Sequence, residues 1–473
     1  MQTYPLYLNG EFVQSEPVWN VINPANSEAF AKISTINRAR LAQAIVDAHT
    51  AFAGWRQMTA KTRGEFLRLI ATELQRRREE IARLISSENG KPLTQSLGEV
   101  ALSVDHLEWF AEEGRRAYGR IIPPQADGKR NLVVKSPIGV VAAISPWNFP
   151  LMLAVRKVAP ALAAGCPVIL KPSRQTPLSS VAFAECVHAA QVPKGVFQLV
   201  CGPSNDFGDE FLANPLCRKV TFTGSTEVGR ILISKAAATI KPLSLELGGN
   251  APLLVFEDAD LSVVVEGALL AKMRNTGQSC IAANRLFVQR PVYQRFLEAF
   301  VARVKSLKIG EFSEPGVEIG PMIDQPALDH ALALINDAVQ HGARLLCGGR
   351  RLERKGFFFE PAVLADVPAA ARCRLEETFA PIAPVTAFDT EEEAIRMAND
   401  TVHGLSAYAF TRDVGRVFRL AEQLEAGMIG INDGLPTTSN APFGGVKQSG
   451  WGRELGAEGL ESFLETKHVS VRI

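Results

Sequence analysis

The segment Phe222-Thr-Gly-Ser-Thr-Glu-Val-Gly229 reads as a strand, a glycine turn and the beginning of a helix. It lies in a region where short apolar runs alternate with helical segments. Strands separated by helices pair in parallel through right-handed crossovers, and ligands bind at their carboxyl ends. This region therefore predicts a doubly wound α/β sheet. The predicted strands are Val168–Leu170, Val196–Val200 and Val220–Thr223, and the predicted helices are Leu151–Ala164, Pro177–Ala190 and Thr226–Ala237.

A second alternating region follows Gly249 and predicts a second α/β domain. At 473 residues the chain exceeds what one hydrophobic core usually supports, so two or three domains are expected. The tail from Phe463 to Ile473 alternates enough to be a strand. In the second region, strands are predicted near Leu253–Phe256, Arg285–Val288 and Met428–Ile431, and long helices at Tyr293–Leu307 and Gln325–His341.

Two helices are predicted near the N-terminus. The first is the alanine-rich segment Arg38–Gly54. The second begins at Thr62 and Glu65, which have the spacing of a capping box, and apolar residues then recur at helical intervals as far as the glycine of Gly90-Lys-Pro92. The run Arg76-Arg-Arg78 falls in this second helix and is expected to form a solvated face.

The charge balance argues against nucleic acid and anionic membranes as partners. The chain has 51 basic and 50 acidic residues, and its net charge is +1. Net charge does not exclude a small anionic substrate, because one or two local arginines are enough to hold it.

Cysteine usage and the N-terminal sequence favour a reducing, cytoplasmic setting. The seven cysteines are widely spaced, and the histidines do not cluster beside them, so neither a zinc site nor a disulfide framework is expected. The first ten residues lack the basic and apolar parts of a signal peptide. No apolar run reaches the roughly 20 residues that a membrane span requires.

Two residues are candidates for chemistry. Cys280 follows Thr276-Gly-Gln-Ser279, a sequence typical of an exposed turn, and Glu246 is a lone acid at the end of a predicted strand. A thiol must lose its proton to act as a nucleophile, and a glutamate in a half-dry site is one group that can accept it. Taken singly, each has a plainer interpretation, as a small core residue or as a solvated charge.

The glycine turn at Gly224 is a candidate phosphate site, because free N–H groups at a helix start favour an anion. The spacing of Gly224 and Gly229 is similar to that of a Walker A loop. However, Arg230-Ile231 stands where Lys-Ser/Thr is required, so a nucleoside triphosphatase is excluded. A GxGxxG fingerprint is also absent.

Together with the segments around Glu246 and Cys280, five further segments carry a resemblance to the aldehyde dehydrogenase superfamily that runs nearly end to end. They are Pro146-Trp-Asn-Phe-Pro150, Leu170-Lys-Pro-Ser173, Phe222–Gly229, Glu376-Glu-Thr-Phe-Ala-Pro381 and Pro442-Phe-Gly-Gly-Val-Lys-Gln-Ser-Gly450.

This resemblance implies two doubly wound α/β domains and a small β-strand oligomerisation flap. The dinucleotide-binding domain would comprise residues 1–117 and 138–248, and the catalytic domain residues 249–458. The flap would comprise residues 118–137 and 459–473 and pair with a neighbouring subunit, which would cover an otherwise exposed strand edge. The implied assembly is a homodimer or a homotetramer.

The resemblance also implies a mechanism. The Cys280 thiolate would attack an aldehyde, while Asn148 and the Cys280 N–H would stabilise the oxyanion, a device commonly worth ~10²–10³-fold per donor. Hydride transfer would leave a thioester, and Glu246 would activate the water that hydrolyses it. Because relatives that acylate coenzyme A lack this glutamate, a free acid is the expected product.

The implied cofactor is NADP or NAD. Relatives that prefer NAD often carry an acid where this chain has Arg174, preceded by Ser173. A guanidinium and a hydroxyl can bind the 2′-phosphate that a carboxylate would repel, so NADP use, either preferred or shared, is expected. The usual glycine after Phe379 is Ala380, a change expected to be tolerated. The residues implied in cofactor binding are Trp147, Lys171, Ser173, Arg174, Gly224, Ser225, Glu377 and Phe379.

The flanks of Asn148 and Cys280 resemble the succinate-semialdehyde dehydrogenase branch. Arg156 and Arg274 match residues that bind the distal carboxylate there, and Thr437 or Thr438 could supply a hydroxyl. The loop carrying the two threonines differs from the branch, so glutarate semialdehyde, sulfolactaldehyde and lactaldehyde stay open as substrates. Ala282 replaces a second cysteine, which predicts no disulfide switch.

Two other function classes are open from the sequence. A non-catalytic nucleotide-binding protein is disfavoured by the joint presence of Asn148, Glu246 and Cys280. A cysteine hydrolase would need a histidine placed beside the cysteine, and the sequence shows none.

Overall fold

The computed structural model describes all residues from Met1 to Ile473. The strands are β1 (Gln2–Tyr4), β2 (Leu6–Leu8), β3 (Glu11–Val13), β4 (Val18–Asn23), β5 (Glu28–Ser34), β6 (Arg120–Ile122), β7 (Lys129–Pro137), β8 (Val140–Ile144), β9 (Val168–Lys171), β10 (Phe197–Leu199), β11 (Cys217–Thr223), β12 (Leu243–Glu246), β13 (Ala251–Val255), β14 (Ala283–Gln289), β15 (Arg344–Cys347), β16 (Ala362–Ala365), β17 (Ile382–Phe388), β18 (Ser406–Phe410), β19 (Met428–Ile431), β20 (Gly450–Trp451) and β21 (Leu464–Arg472).

The helices occupy the segments between these strands. They are α1 (Arg38–Trp55), α2 (Ala60–Arg76), α3 (Arg78–Asn89), α4 (Leu93–Glu113), α5 (Met152–Ala164), α6 (Leu178–Ala189), α7 (Ser204–Ala213), α8 (Thr226–Ala236), α9 (Leu261–Met273), α10 (Arg290–Lys305), α11 (Gln325–Gln340), α12 (Arg372–Leu375), α13 (Glu391–Asn399), α14 (Val414–Gln423) and α15 (Gly456–Glu461).

The first large sheet has eight strands in the order β20-β12-β11-β8-β9-β10-β2-β3. Its five central strands are parallel, and the antiparallel strands lie at the two edges. Central strands such as β8 and β9 are apolar along most of their length because helices cover both faces of the sheet. The doubly wound sheet predicted around Gly224 is therefore present.

The second large sheet has seven strands in the order β15-β16-β17-β14-β13-β18-β19. All neighbours pair in parallel except β15 and β16. Separate apolar clusters lie against it, one containing Phe296 and Phe300 and another containing Phe256 and Phe388. The second alternating region thus forms the second sheet that its pattern predicts.

A three-stranded sheet of β6, β7 and β21 lies within the segments expected to form the flap. Strand β21 pairs antiparallel with β7 from Leu464 opposite Pro137 to Arg472 opposite Lys129. The sheet and the residues flanking it expose large apolar side chains, including Ile121 on β6, Tyr118 and Ile473. Another small sheet, of order β1-β5-β4, lies near the N-terminus.

One part of the expected catalytic segment joins the first sheet. Strand β20 pairs antiparallel with β12, with Gly450 opposite Glu246, and the Leu247 N–H donates to the Ser449 carbonyl at 2.9 Å. Phe443 and Leu455 are buried in the same apolar core as the first sheet. The pairing of β20 with β12 places the 442–455 segment beside Glu246. The domain limits themselves stay a prediction.

The second predicted helix differs from the observed structure. It begins at Ala60, because the Thr59 hydroxyl accepts from the Thr62 N–H at 3.2 Å; the prediction of Thr62 as the cap is wrong. The predicted single helix is also two helices, since Arg77 leaves helical geometry and separates α2 from α3. Arg77 pairs with Glu185 at 2.7 Å, so this arginine is not part of a merely solvated face.

The whole chain lacks two features, a membrane-spanning helix and a cluster of metal-binding side chains. None of the helices combines the length and the apolar composition that crossing a membrane requires. No group of three or more His, Cys, Asp or Glu side chains is arranged to hold a metal ion.

Candidate active site

Cys280 lies between two cavities. One, of about 230 Å³, is the glycine cleft; its walls include Trp147, Asn148, Gly224, Ser225, Glu377 and Phe379. The other, of about 70 Å³, is the arginine pocket; its walls include Phe149, Arg156, Arg274, Thr437 and Phe443. Cys280, which is half-buried, lines both cavities.

A strained turn presents Cys280. Asn275, Thr276 and Gly277 have φ values of 50°, 58° and 70°, three successive residues in the left-handed region. A Cβ atom on Gly277 would lie 2.3 Å from the Ala380 carbonyl oxygen, so only glycine fits there. The Asn275 amide donates to the Asn148 carbonyl at 2.9 Å, which ties this turn to the loop after β8.

The thiol of Cys280 is protonated at neutral pH in the absence of ligands. Burial raises its pKa to about 12, and the neighbouring Glu377 and Glu246 carboxyls act in the same direction. Arg156 and the residue's own N–H oppose the increase. Since only the thiolate is a strong nucleophile, catalysis requires a group that takes the proton away.

Asn148 offers a hydrogen-bond donor on the wall of the glycine cleft. Its Nδ2 donates to the Gln278 carbonyl at 3.1 Å, which leaves the second hydrogen of the amide free. The Cys280 N–H donates to no backbone carbonyl. Two N–H donors are therefore available near the sulfur, as an oxyanion site requires.

A buried ion pair that the sequence did not reveal supports the Asn148 loop. Lys91 and Glu99 are 2.6 Å apart with fully buried side chains, and the Lys91 ammonium also donates to the Asn148 carbonyl at 2.7 Å. Glu99 accepts from the N–H groups of Leu151 and Met152, at 3.0 and 3.2 Å, at the start of α5. The pair fixes both Asn148 and the helix that carries Arg156.

Replacing Lys91 with methionine is expected to lower the free energy of unfolding by about 3–5 kcal/mol, because it leaves a buried carboxylate without its partner. Thermal or denaturant unfolding measures the change. Lys61→Met is the control, since its ion pair with Glu65 at 3.9 Å is exposed and its loss should produce no resolvable shift. Equal shifts in both variants would contradict the structural role of Lys91.

Glu246 is a buried carboxyl at the end of β12. It is 2% exposed, its Oε2 has no hydrogen-bond partner, and a Cβ atom on Gly444 would lie 2.8 Å from its Oε1. Burial, and to a smaller extent the neighbouring Glu454 carboxyl, raise the pKa of Glu246 well above its ordinary value. The Lys157 ammonium acts in the opposite direction. Glu246 lines neither cavity. Lys157 and Glu454 form a buried ion pair close by, which no local sequence pattern reveals.

The wall of the glycine cleft is suited to a phosphate. Gly224 lies between β11 and α8, and a Cβ atom there would lie 2.3 Å from the Phe222 ring. Ser225 caps α8, with its hydroxyl accepting from the Val228 N–H at 3.4 Å. The start of α8 therefore presents N–H groups and a partial positive charge to the cleft.

Two aromatic rings and a carboxyl form the other side of the cleft. The rings of Trp147 and Phe379 pack edge to face with their centroids 5.4 Å apart. Phe379 has a φ of 43°, in the left-handed region. Glu377 accepts from the Gly249 N–H at 3.2 Å, and burial raises its pKa to about 8. Lys272, fully buried, faces this carboxyl, and burial lowers its pKa to about 7.

Lys171, Ser173 and Arg174 lie outside the glycine cleft, at the end of β9. Strand β9 adjoins β8, with Lys171 opposite Ile144. The Lys171 ammonium is buried without an ion-pair partner, and burial lowers its pKa. Arg174 is exposed 5.1 Å from the Trp19 ring, and the Ser173 hydroxyl donates to Gln175 at 2.7 Å. Only an elongated ligand can contact both the glycine cleft and these residues at the end of β9.

The arginine pocket contains two guanidinium groups, those of Arg156 and Arg274, that form no ion pair. The Arg156 guanidinium lies over the Phe443 ring at 4.3 Å and Arg274 over the Phe149 ring at 4.7 Å. Burial lowers the pKa of each. Buried charges are normally paired, so the pocket is suited to an anionic ligand.

The two threonines predicted for this pocket are placed differently. Thr437 lines the arginine pocket, and its buried hydroxyl has no partner. Thr438 is exposed, and its hydroxyl donates to the Asn440 side chain at 2.8 Å. The structure therefore brings Thr437, and not Thr438, to the arginines.

Comparisons with known proteins agree with this geometry. The Aldehyde dehydrogenase family matches residues 12–469. The chain is 48% identical over 98% of its length to the NADP(+) succinate-semialdehyde dehydrogenase of Escherichia coli K12, covering 97% of that protein. It is 46% identical to a 3-sulfolactaldehyde dehydrogenase of Pseudomonas putida, over 98% of this chain and 96% of that one. It is 47% identical to a glutarate-semialdehyde dehydrogenase of the same species, over 99% and 97%.

A solved structure is equally similar. The crystal structure of an NADP-dependent enzyme of Escherichia coli superposes with a TM-score of 0.98, at 47% identity, and the match covers 100% of this chain and 98% of the other. The predicted family and fold class are confirmed by these similarities.

Proposed function

The chain belongs to the aldehyde dehydrogenase family, and from this premise we propose that it oxidises succinate semialdehyde to succinate with NADP or NAD. The observation that supports this substrate is the pair of guanidinium groups in the arginine pocket, of the buried Arg156 and the half-buried Arg274, neither of which forms an ion pair. A distal carboxylate would neutralise them while the aldehyde carbon lies at Cys280. The family relatives named above act on short aldehydes that carry an anionic group, which supports this assignment.

The glycine cleft and the end of β9 together fit the nicotinamide cofactor. The start of α8 suits the pyrophosphate, Glu377 and Phe379 suit the nicotinamide ribose and ring, and the free ammonium of Lys171 suits the adenine ribose hydroxyls. Bound NAD(P) supplies the acceptor for the hydride that leaves the substrate carbon.

The first half of the reaction forms a covalent adduct on Cys280. The Cys280 thiol transfers its proton to solvent water, the sulfur attacks the carbonyl carbon, and the π electrons of the carbonyl move to its oxygen. The free N–H of Asn148 and the Cys280 N–H stabilise the resulting alkoxide. Loss of hydride from this thiohemiacetal carbon restores the carbonyl and leaves a thioester on Cys280.

The second half hydrolyses the thioester. Glu246 accepts a proton from water as the oxygen attacks the acyl carbon, and the C–S bond breaks to release the acid and the thiolate. Since the Glu246 carboxyl lies against Gly444 and lines neither cavity, this step requires its side chain to turn towards Cys280. The positive charge of Lys157 favours the ionised form that the step needs.

An aldehyde panel tests the substrate assignment. Succinate semialdehyde, glutarate semialdehyde, sulfolactaldehyde, lactaldehyde and butanal are each assayed with NAD and NADP. The assignment predicts the highest kcat/KM for succinate semialdehyde, with the other anionic aldehydes above butanal. Preference for lactaldehyde or butanal would overturn it.

Neutralising either arginine, as Arg156→Met or Arg274→Met, is expected to raise KM for succinate semialdehyde about 10- to 100-fold. An increase of this size is expected because a hydrogen bond between charged groups is lost. KM for butanal should stay within about 3-fold, because butanal has no carboxylate to bind. Arg83→Met, which replaces an exposed arginine without an ion pair, is the control. Equal increases for both aldehydes would contradict the carboxylate site.

Replacing Arg174 with glutamate is expected to lower kcat/KM with NADP about 10- to 100-fold, because a carboxylate repels the 2′-phosphate that the guanidinium attracts. Activity with NAD, which lacks that phosphate, is the internal control and should change by less than about 3-fold. Parallel kinetics with the two cofactors measure the difference. An equal decrease with both would show that Arg174 does not contact the 2′-phosphate.

We also propose a cytoplasmic setting and a homodimeric or homotetrameric assembly. All seven cysteines are unpaired, which suits a reducing compartment. The exposed Tyr118, Ile121 and Ile473 beside the edge of the β6-β7-β21 sheet support association through that sheet.

A further inference from the structure

A chain of hydrogen bonds connects the protein surface to Arg156. The Arg156 Nε donates to His106 Nε2 at 3.2 Å, His106 Nδ1 is 2.7 Å from the Ser439 hydroxyl, and that hydroxyl contacts the exposed Asp105 carboxylate. Helix α4 carries Asp105 and His106, α5 carries Arg156, and Ser439 belongs to the loop before Pro442. His106, Ser439 and Arg156 are all buried.

Only one arrangement of protons satisfies this chain. Arginine has no acceptor, so the Arg156 Nε–H must meet a lone pair on His106 Nε2. The single proton of the neutral imidazole is then on Nδ1 and points to the Ser439 oxygen. A carboxylate only accepts, so the Ser439 hydroxyl donates its own proton to Asp105. Each link fixes the next, and the exposed carboxylate at the end selects the tautomer of His106.

A neutral partner suits the role of Arg156 better than an acid would. A carboxylate in place of His106 would neutralise the guanidinium and compete with an anionic substrate. The imidazole holds the Nε end without cancelling the charge, and Phe443 supports one face of the group. The remaining nitrogens form no ion pair; one Nη2 hydrogen is directed to the Met152 sulfur at 3.6 Å, and the other hydrogens are available to a ligand in the arginine pocket.

We propose that His106, Ser439 and Asp105 are positioning residues that orient Arg156, and that they set the selectivity of this enzyme for anionic aldehydes. This inference rests on the proposed function, because it requires Arg156 to bind the substrate carboxylate. Burial and the adjacent charge of Arg156 keep the pKa of His106 well below its ordinary value, which favours the neutral imidazole.

The test compares His106→Phe with His106→Gln in steady-state kinetics. His106→Phe removes the acceptor and should raise KM for succinate semialdehyde about 10-fold while kcat changes by less than about 2-fold. His106→Gln supplies an amide oxygen to Arg156 and should restore KM to within about 3-fold of the wild type. KM for butanal should be unaffected in both. His49→Phe, at an exposed site on α1, is the matched control.

The smaller variants Ser439→Ala and Asp105→Ala test the outer links, because each removes one hydrogen-bond partner from the chain. Each releases the tautomer of His106 and should raise KM for succinate semialdehyde about 3- to 5-fold, the effect of one neutral hydrogen bond. Glu108→Gln, at an exposed acid on the same helix, should have no effect. The melting temperature is measured for every variant.

The outcomes separate this inference from the proposed function. If Arg156→Met is selective for the anionic aldehyde while the His106, Ser439 and Asp105 variants are not, the positioning role is wrong and the proposed function stands. If His106→Phe raises KM for both aldehydes and His106→Gln does not restore it, His106 is only structural. If Arg156→Met itself affects both aldehydes equally, the proposed function fails.

Discussion

Cys280→Ala is expected to lower aldehyde-dependent NAD(P)H formation by at least about 10⁴-fold, as loss of a catalytic nucleophile does in other covalent enzymes. The physical reason is that an aldehyde does not transfer hydride until a nucleophile has added to its carbon and made it tetrahedral. The structure offers no second thiol, because Cys280 alone among the seven cysteines lines the two cavities. The absorbance of reduced cofactor under saturating aldehyde measures the loss.

Cys347→Ala is the matched control for this variant, because Cys347 is also a half-buried thiol and lies on β15, in the second sheet. Its activity should equal that of the wild type. Cofactor binding, followed by quenching of tryptophan fluorescence, should be preserved in both variants. Turnover that survives in Cys280→Ala would remove the covalent mechanism.

Glu246→Gln is expected to separate the two halves of the reaction. Glutamine has the same shape but cannot accept a proton, so the thioester forms and then hydrolyses about 10²- to 10⁴-fold more slowly. Rapid mixing should show a burst of NAD(P)H close to one equivalent per active site, followed by a slow steady state. Glu257→Gln, at an exposed acid, should show wild-type turnover. Loss of the burst would assign Glu246 to the first half instead.

The pH dependence of hydrolysis follows from the burial of Glu246. A protonated carboxyl cannot act as a base, and burial and Glu454 raise the pKa of Glu246 well above its ordinary value. Hydrolysis should therefore slow on acidification at a pH above the usual carboxyl range and recover as the pH rises. The same limb should be absent from the pH profile of Glu246→Gln.

The sequence predicted the parallel sheets because local patterns determine them. Met428–Ile431 is a strand as predicted, and the helix predicted at Thr226–Ala237 is observed one residue shorter. The junction at Arg77 was not predicted, because apolar residues continue at helical intervals through it. The choice between Thr59 and Thr62 as the cap likewise depends on the local backbone conformation, which the sequence spacing of the two threonines does not determine.

The site was predictable in its motifs and not in its supporting contacts. Cys280, Asn148, Gly224 and Glu377 were predicted as site residues, and the structure places all four on the walls of one cleft. The contact of His106 with Ser439 joins residues 333 positions apart, and neither has a distinctive local sequence. The sequence does not predict the burial of Lys91 either. The segment Gly90-Lys-Pro92 has the composition of an exposed turn, and only tertiary packing buries its lysine.

The central claim is that Cys280 carries the acyl group between the two halves of the reaction. Intact-protein mass spectrometry of Glu246→Gln, mixed with succinate semialdehyde and NADP and followed by peptide mapping, tests it most directly. The predicted result is one succinyl group per chain, attached to Cys280 and formed only when cofactor is present. A succinyl group on another residue, or no covalent adduct during continuing turnover, would contradict the account.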